Sequence, residues 1–580
     1  MAKVLLLHQG YLAAAAGKTY YVNPAAQICS TPLTHTAFPL FTPQKGKVTS
    51  AQIHEYLDDN KDFINTFDYA LVTDANYFKV ITKQKQAKRV LGQIFTVEGF
   101  TCKFLYAPHH FQATLNHTEY LENLKLIYKA IEAQEQGNYI DPGVGIIHSE
   151  KYAVTLSEAE ELYKRLLEYP ELTLDIEAYS LEVTKAGIYT IGFAWDEHNG
   201  CCIAIDGSDN PKEMRELLRK FFDEYTGKFI VHKANYDLPV LIYNLYMNED
   251  LTNTQGQLQG WDYFRTKTED SLIVSYLALN TCGGVVLTLK DLGAEYAGNW
   301  AIDIKDVTKH PLDVVMKYNL EDCLTTWYVY KKYYAQMVAD NQLDIYENHM
   351  KPYMFDCIRM QLTGFYVDPI QVEKFGSDVI QEKDKLEQSI LNNPLVKAAE
   401  YIIAEAEMHS RNAKLKTKQV TVNDVIQPFN CNSNNQLRVL LYDVMSLPVI
   451  DQTDSGAAAT SEKVVSTLIS HTDNQAYKDL LETLSDYMKV IKIATAFVPM
   501  LQNPQEDKFG NKRILGYFNV GGTKSGRLSS NNPNMQNWPS TGTKYAKGFK
   551  KCITAPDGWV FAGIDFLSLT LGERCSNVTC

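Results

Sequence analysis

Three apolar segments follow one another within residues 172–206: LTLDIEA, IYTIGFAW and GCCIAID. Each is too short for a buried helix and carries β-branched or aromatic residues, so each reads as a strand. Helix-period segments flank them, SEAEELYKRLLEY before and PKEMRELLRKFFDEY after, and a further strand, FIVHKA, comes next. Strands in succession and then helices predict a mixed sheet flanked by helices over residues 150–335.

The rest of the chain divides around that block. Residues 1–145 mix short strands (VLLL, YALVTDA, CKFLYAP) with a helix near 118–136 and form an accessory α/β domain of unassigned role. GNYIDPGVG reads as a linker. Residues 336–510 are dominated by long helical segments, and from 511 the chain turns strand-like and rich in Gly, Ser and Asn. The total of 580 residues suits several domains, so the fold class is multi-domain α/β. The net charge of −13 argues against binding nucleic acid with the whole surface, though a local basic groove stays open. Eleven scattered cysteines, odd in number and without a CxxC, fit reduced thiols in a cytoplasm and offer neither a zinc site nor a disulfide framework. No apolar stretch approaches a membrane span. Near the N-terminus, His8, Gln9 and Gly10 interrupt the apolar region, so Val4 to Leu7 reads as a buried strand rather than a signal peptide.

Asp175 and Glu177 stand two apart on the first strand of the block, so both carboxylates point to one face. Two acids on a strand with an apolar lead-in need a compensating charge, and hard oxygen ligands suit Mg²⁺, with Mn²⁺ as the alternative. The spacing alone is weak, because a solvated strand end looks the same. In FIVHKANYDLPVL a buried strand ends at His232 and a turn presents Asp237. In VVMKYNLEDCLTTWYVY, Tyr318 and Asp322 are four apart on a helix and share a face.

Taken in this order, the three segments resemble the three motifs of the DEDDy 3′–5′ exonucleases, which have an RNase H-like fold. The resemblance implies that Asp175, Glu177, Asp237 and Asp322 hold two metal ions and that Tyr318 orients the attacking water. LTLKDLGAEY at 287–296 is similar to the family's segment between the second and third motifs. Where the family has an Asn four residues before the second-motif Asp, this chain has Lys233, with an Asn at 235 instead. That departure bears on how the substrate strand is positioned.

From Lys508 to Lys551 the chain carries nine Lys and Arg and no Asp or Glu, which reads as a solvated basic face or a phosphate-binding one. Within it, SGRLSSNNPNMQNWP resembles the palm signature of the family A DNA polymerases, written there as TGRLSS followed by PNLQN. The segments before it are similar to that family's thumb over 336–510, and APDGWVFAGIDFLSL to its palm motif A, with Asp565 as a catalytic metal ligand closing a buried strand. The resemblance points to phage polymerases with an extra N-terminal domain. It implies Arg527 at the primer terminus, Asn534, Gln536 and Asn537 in the minor groove, and Lys524 and Lys544 on phosphates.

The chain continues 15 residues past Asp565, and Thr570 stands where the family has an acidic gate against ribonucleotides. A palm begun at 511 and ending there is incomplete, so an intron inside motif A, a split gene with a second polypeptide completing palm and fingers, or a fragment are the three explanations. The expected function is the N-terminal part of a family A DNA polymerase in DNA replication with a proofreading 3′–5′ exonuclease. It would act in the cytoplasm, that of the host if phage-encoded, on primer–template and single-stranded 3′ ends and away from any membrane. A stand-alone exonuclease and an inactive DNA-binding subunit are the alternatives.

Overall fold

The computed structural model describes residues 2–43, 48–84, 87–279, 286–298, 304, 306–413, 415, 419–453, 456–556 and 558–563. Asp565, Thr570 and the tail beyond lie outside the described residues. The chain forms two compact units. The first takes residues 1–363 together with 507–509 and 518–530, and the second takes 364–506, 510–517 and 531–580.

The first unit opens with strands β1 (Ala2–Gln9), β2 (Leu33–Leu40), β3 (Tyr69–Val72) and β4 (Lys103–Tyr106). They form one parallel sheet in the order β2-β1-β3-β4. Helices α1 (Ser50–Ile64) and α2 (Ala75–Thr82) are started by Thr49 and Asp74, whose side chains accept from backbone N–H groups of the first turn. Helix α3 (His117–Glu135) is capped in the same way by Asn116. Val4 and Leu6 pack with Leu124 and Ile127 of α3, while Leu5 and Leu7 pack with Ile53 of α1 and Phe78 of α2. The VLLL run is therefore apolar throughout because both faces of the strand are covered.

The second sheet is built from β5 (Ser149–Ala153), β6 (Glu171–Glu177), β7 (Thr190–Ala194), β8 (Asn199–Ala204), β9 (Lys228–Val231) and β10 (Thr268–Asp270). Its order is β10-β9-β6-β7-β8-β5. The meander β6–β7–β8 is antiparallel, and β9, β10 and β5 add in parallel at its two edges. This mixed sheet is the RNase H-like arrangement. Helix α4 (Leu156–Leu166) begins in a reciprocal Thr155–Glu158 capping box, and α5 (Pro211–Glu224) begins at a proline. Helices α6 (Ala234–Leu241), α7 (Ser271–Ala278), the 28-residue α8 (Leu312–Ala339) and α9 (Lys351–Thr363) complete the unit.

Helix α8 lies against the sheet where β7 carries Gly192, the register partner of Asp175 on β6. A Cβ on Gly192 would stand 2.7 Å from Cys323 Sγ and 2.8 Å from Asn319 Oδ1. The absence of a side chain there lets the helix reach the strand that bears the acids.

Two later segments complete the first unit. Asp507 accepts a hydrogen bond from the Leu251 N–H at 2.8 Å. The Phe518 N–H donates to Gln361 Oε1 at 3.0 Å, and the Phe518 carbonyl accepts from the Asn235 side chain.

In the second unit, helices α10 (Pro369–Leu391), α11 (Pro394–Asn412) and α12 (Gln475–Lys492) surround a core that includes Leu440, Leu441, Leu480, Leu481 and Leu484. Short strands β11 (Tyr366–Val367) and β12 (Ile553–Thr554) pair antiparallel. The expected buried strand leading to Asp565 is corrected for its described part. Trp559, Val560 and Phe561 are 70%, 87% and 61% exposed and form no strand. Among the described residues none pairs with them, and an apolar run without a partner strand has nothing to be buried against.

Candidate active site

Strand β6 delivers Asp175 and Glu177 to one face, as the alternation requires. Helix α8 brings Asp322 to them, and one carboxylate oxygen from each of the three lies within 4.8 Å of the others. Asp237, buried, sits in the first turn of α6. The expected turn at this point is thus a helix. Lys233 adopts a left-handed backbone (φ 67°) as its N-cap, so the helix starts before the Asp.

Two residues that the motifs do not single out fix the constellation. Asn319, fully buried on α8, donates to Asp175 Oδ2 at 2.6 Å. Its own Oδ1 accepts from Cys202 Sγ at 3.2 Å and Thr190 Oγ1 at 3.4 Å, which sets the amide's orientation. Lys290 donates to the Tyr318 hydroxyl at 2.6 Å and lies 4.6 Å from the centre of its ring. The sequence signals were a polar residue inside an otherwise apolar helix face and a lysine within LTLKDL. Asn235 donates its side-chain amide to the Phe518 carbonyl.

The electrostatics follow from four acids converging in a desolvated place. Burial pushes Asp175 and Glu177 well above the carboxylate range, and Asp237 and Asp322 push both further. The Lys290 cation opposes this at Glu177. Burial raises Asp237 to about 8. Such a cluster of carboxylates fits a divalent cation, whose charge repays the desolvation and whose hardness suits oxygen donors.

The sign of the resulting pH dependence is fixed. Between the ordinary Asp value and about 8 the folded chain holds a proton on Asp237 that the unfolded chain has released. Stability then falls as pH rises through that window. In EDTA the melting temperature of the first unit should decrease from roughly pH 5 to roughly pH 8, and added Mg²⁺ should flatten the decline by binding the ionised cluster. Calorimetry at several pH values checks this; a melting temperature that climbs over the window without divalent ions contradicts it.

The residues expected on DNA are distributed over both units. Lys524 and Arg527 are exposed in the first, where the Arg527 carbonyl accepts from Thr523 Oγ1 at 2.8 Å. Asn534, Gln536, Asn537 and Lys544 are exposed in the second, where Lys544 pairs with Glu382.

Two family descriptions match the chain: 3'-5' exonuclease over residues 152–337 and DNA polymerase family A over residues 400–572. Residues 400–572 thus match the family A polymerases, and residues 152–337 match the 3'-5' exonuclease domain. The DNA polymerase of Bacillus phage SP01 is 23% identical over 594 aligned residues, covering 91% of this chain and 61% of that protein. The thermostable DNA polymerase I of Thermus aquaticus is 30% identical over 145 residues, 25% of this chain and 16% of its own length. The chain therefore spans less than two thirds of these relatives. A solved structure described as the POL domain of Pol1 from M. smegmatis, in complex with DNA primer-template and dNTP, aligns over 71% of this chain and 59% of its own, with 16% identity and a TM-score of 0.47. Among the described residues no helix is long and apolar enough to cross a membrane.

Proposed function

We propose that this family A chain acts in DNA replication and that residues 150–335 remove nucleotides from 3′ ends by metal-assisted hydrolysis. The observation that carries the reading is the convergence of Asp175, Glu177 and Asp322 within 4.8 Å, with Asp237 coupled to them electrostatically.

Asp175, Glu177, Asp237 and Asp322 would hold Mg²⁺, which supplies an activated water and neutralises charge on the phosphate. Asn319 keeps Asp175 in place, so that carboxylate need not reorganise. The Tyr318 hydroxyl, which accepts from Lys290, would orient the reacting water. Lys290 adds a positive charge on the side of Glu177, where a phosphodiester anion would be drawn. Lys524, Arg527, Asn534, Gln536, Asn537 and Lys544 form the proposed DNA contacts and Asp565 the proposed palm metal ligand. Because Lys544 is already paired with Glu382, it contributes to phosphate binding only after that pair opens.

The test is release of nucleoside monophosphates from a 3′-labelled single strand by the purified chain, with Mg²⁺ and with EDTA. Failure to release any, under conditions where DNA is bound, would leave the DNA-binding subunit as the reading. Tyr318→Phe should slow release roughly 10-fold to 10³-fold while the Mg²⁺ concentration giving half-maximal rate stays unchanged. The same variant with wild-type rates over a full pH profile would make Tyr318 a packing residue only.

A further inference from the structure

The N-terminal sheet carries a second cluster of donor atoms that the nuclease does not use. We propose that His8, His109 and His110 form a transition-metal site, and that Zn²⁺ is the ion it suits.

Topology makes the place. Strands β2 and β3 lie on opposite sides of β1, so the chain leaves β1 in one direction and later returns on the other side. The carboxyl edge at such a reversal is where doubly wound sheets open a crevice for ligands. His8 sits at that end of β1, and His109 and His110 follow the end of β4, beyond β3. They come from two distant segments and converge across one edge.

Geometry makes the donor set. One ring nitrogen from each histidine lies within 4.8 Å of the other two. His8 Nε2 and His110 Nδ1 are 2.9 Å apart, and the three ring centroids are separated by 4.3 to 5.0 Å. Around a tetrahedral zinc with bonds of about 2.0–2.1 Å the donor nitrogens stand roughly 3.3 Å from one another, so small ring rotations suffice. His8 is 1% exposed, so its ring is shielded from water where it meets the other two.

Chemistry selects the ion. An all-nitrogen set favours zinc and its transition-series neighbours over Mg²⁺, the reverse of the acidic cluster on β6. Asp74, which caps α2, acts on His109 electrostatically and would partly balance the ion's charge. His109 and His110 are half-buried and Phe111 beside them is 65% exposed, so the edge is open to solvent. Three protein ligands leave a fourth position for water or a substrate atom, the layout of a reactive zinc rather than a closed structural one.

The test uses the full chain, stripped with EDTA and then held in excess Mg²⁺ to fill oxygen sites. Zn²⁺ titrated against a chromophoric indicator should bind one equivalent with a Kd below roughly 1 µM. His109→Gln and His110→Gln should each weaken it by at least ~10²-fold, with melting in EDTA unchanged. Asp175→Asn with Glu177→Gln should leave the equivalent in place, which separates this site from the nuclease. Should the histidine variants misfold, Co²⁺ added to the wild type still decides: intense visible bands of a tetrahedral nitrogen site support the proposal. No zinc bound by the wild type, equal affinity in folded histidine variants, or only the weak spectrum of octahedral Co²⁺ would reduce the cluster to packed aromatic rings.

Discussion

Replacing Asp175 and Glu177 together by Ala should reduce Mg²⁺-dependent degradation of single-stranded DNA by at least ~10³-fold. Both acids leave the face of β6 that Asp322 meets, so no pair of oxygens remains to hold an ion between strand and helix. The fold should survive, since two carboxylates are removed that burial and the neighbouring acids hold well above their usual range. The double variant should melt at or above the wild-type temperature in EDTA and lose the stabilisation by Mg²⁺. Retained degradation, with melting still sensitive to Mg²⁺, would move the nuclease away from β6.

The second large effect is expected at a residue with no chemistry. Gly192→Ala puts a methyl group where Cys323 Sγ and Asn319 Oδ1 are 2.7 and 2.8 Å away. Neither neighbour is the end of a long flexible chain, so α8 must move from the sheet. Overpacking of this kind costs about 1–3 kcal/mol. Because Asn319 and Asp322 ride on the same helix, the acids lose their alignment, and a shift of that order lowers the rate roughly 10-fold to 10²-fold. Urea unfolding and the 3′-label assay together check it. An active, fully stable Gly192→Ala would mean that the helix does not depend on close approach there.

What a linear reading could recover follows physical range. Asp175 and Glu177 were legible because strand alternation is local, and Tyr318 and Asp322 because the helical turn is local. Gly192 was not, since its role arises from cross-strand register and from a helix docking on a sheet, neither of which has a short-range signature, and Asn319 showed only as a polar residue on an apolar helix face, with nothing local to name Asp175 as its partner. Lys290 lay inside a recognised segment, but its partner is 28 residues away on another helix. Asp237 was placed correctly after a strand and assigned to a turn, because a left-handed Lys at a helix start is an uncommon cap. The run WVF reads as buried from composition alone, yet burial is a property of partners as much as of the segment.

The first unit is discontinuous in sequence, and this bears on how such a gene can be dissected. A piece ending at residue 363 would keep all four acids and lose 507–509 and 518–530. The Leu251 N–H would forfeit the Asp507 carboxylate, and Asn235 and Gln361, 5% and 4% exposed, would forfeit the Phe518 backbone. Asn235 stands two residues from Asp237 on the same helix. The region that matches the 3'-5' exonuclease domain is therefore not a cassette to be lifted out at a linker: the helix that carries Asp237 is underpinned by residues encoded nearly 300 positions downstream, within the segment that matches the family A polymerases.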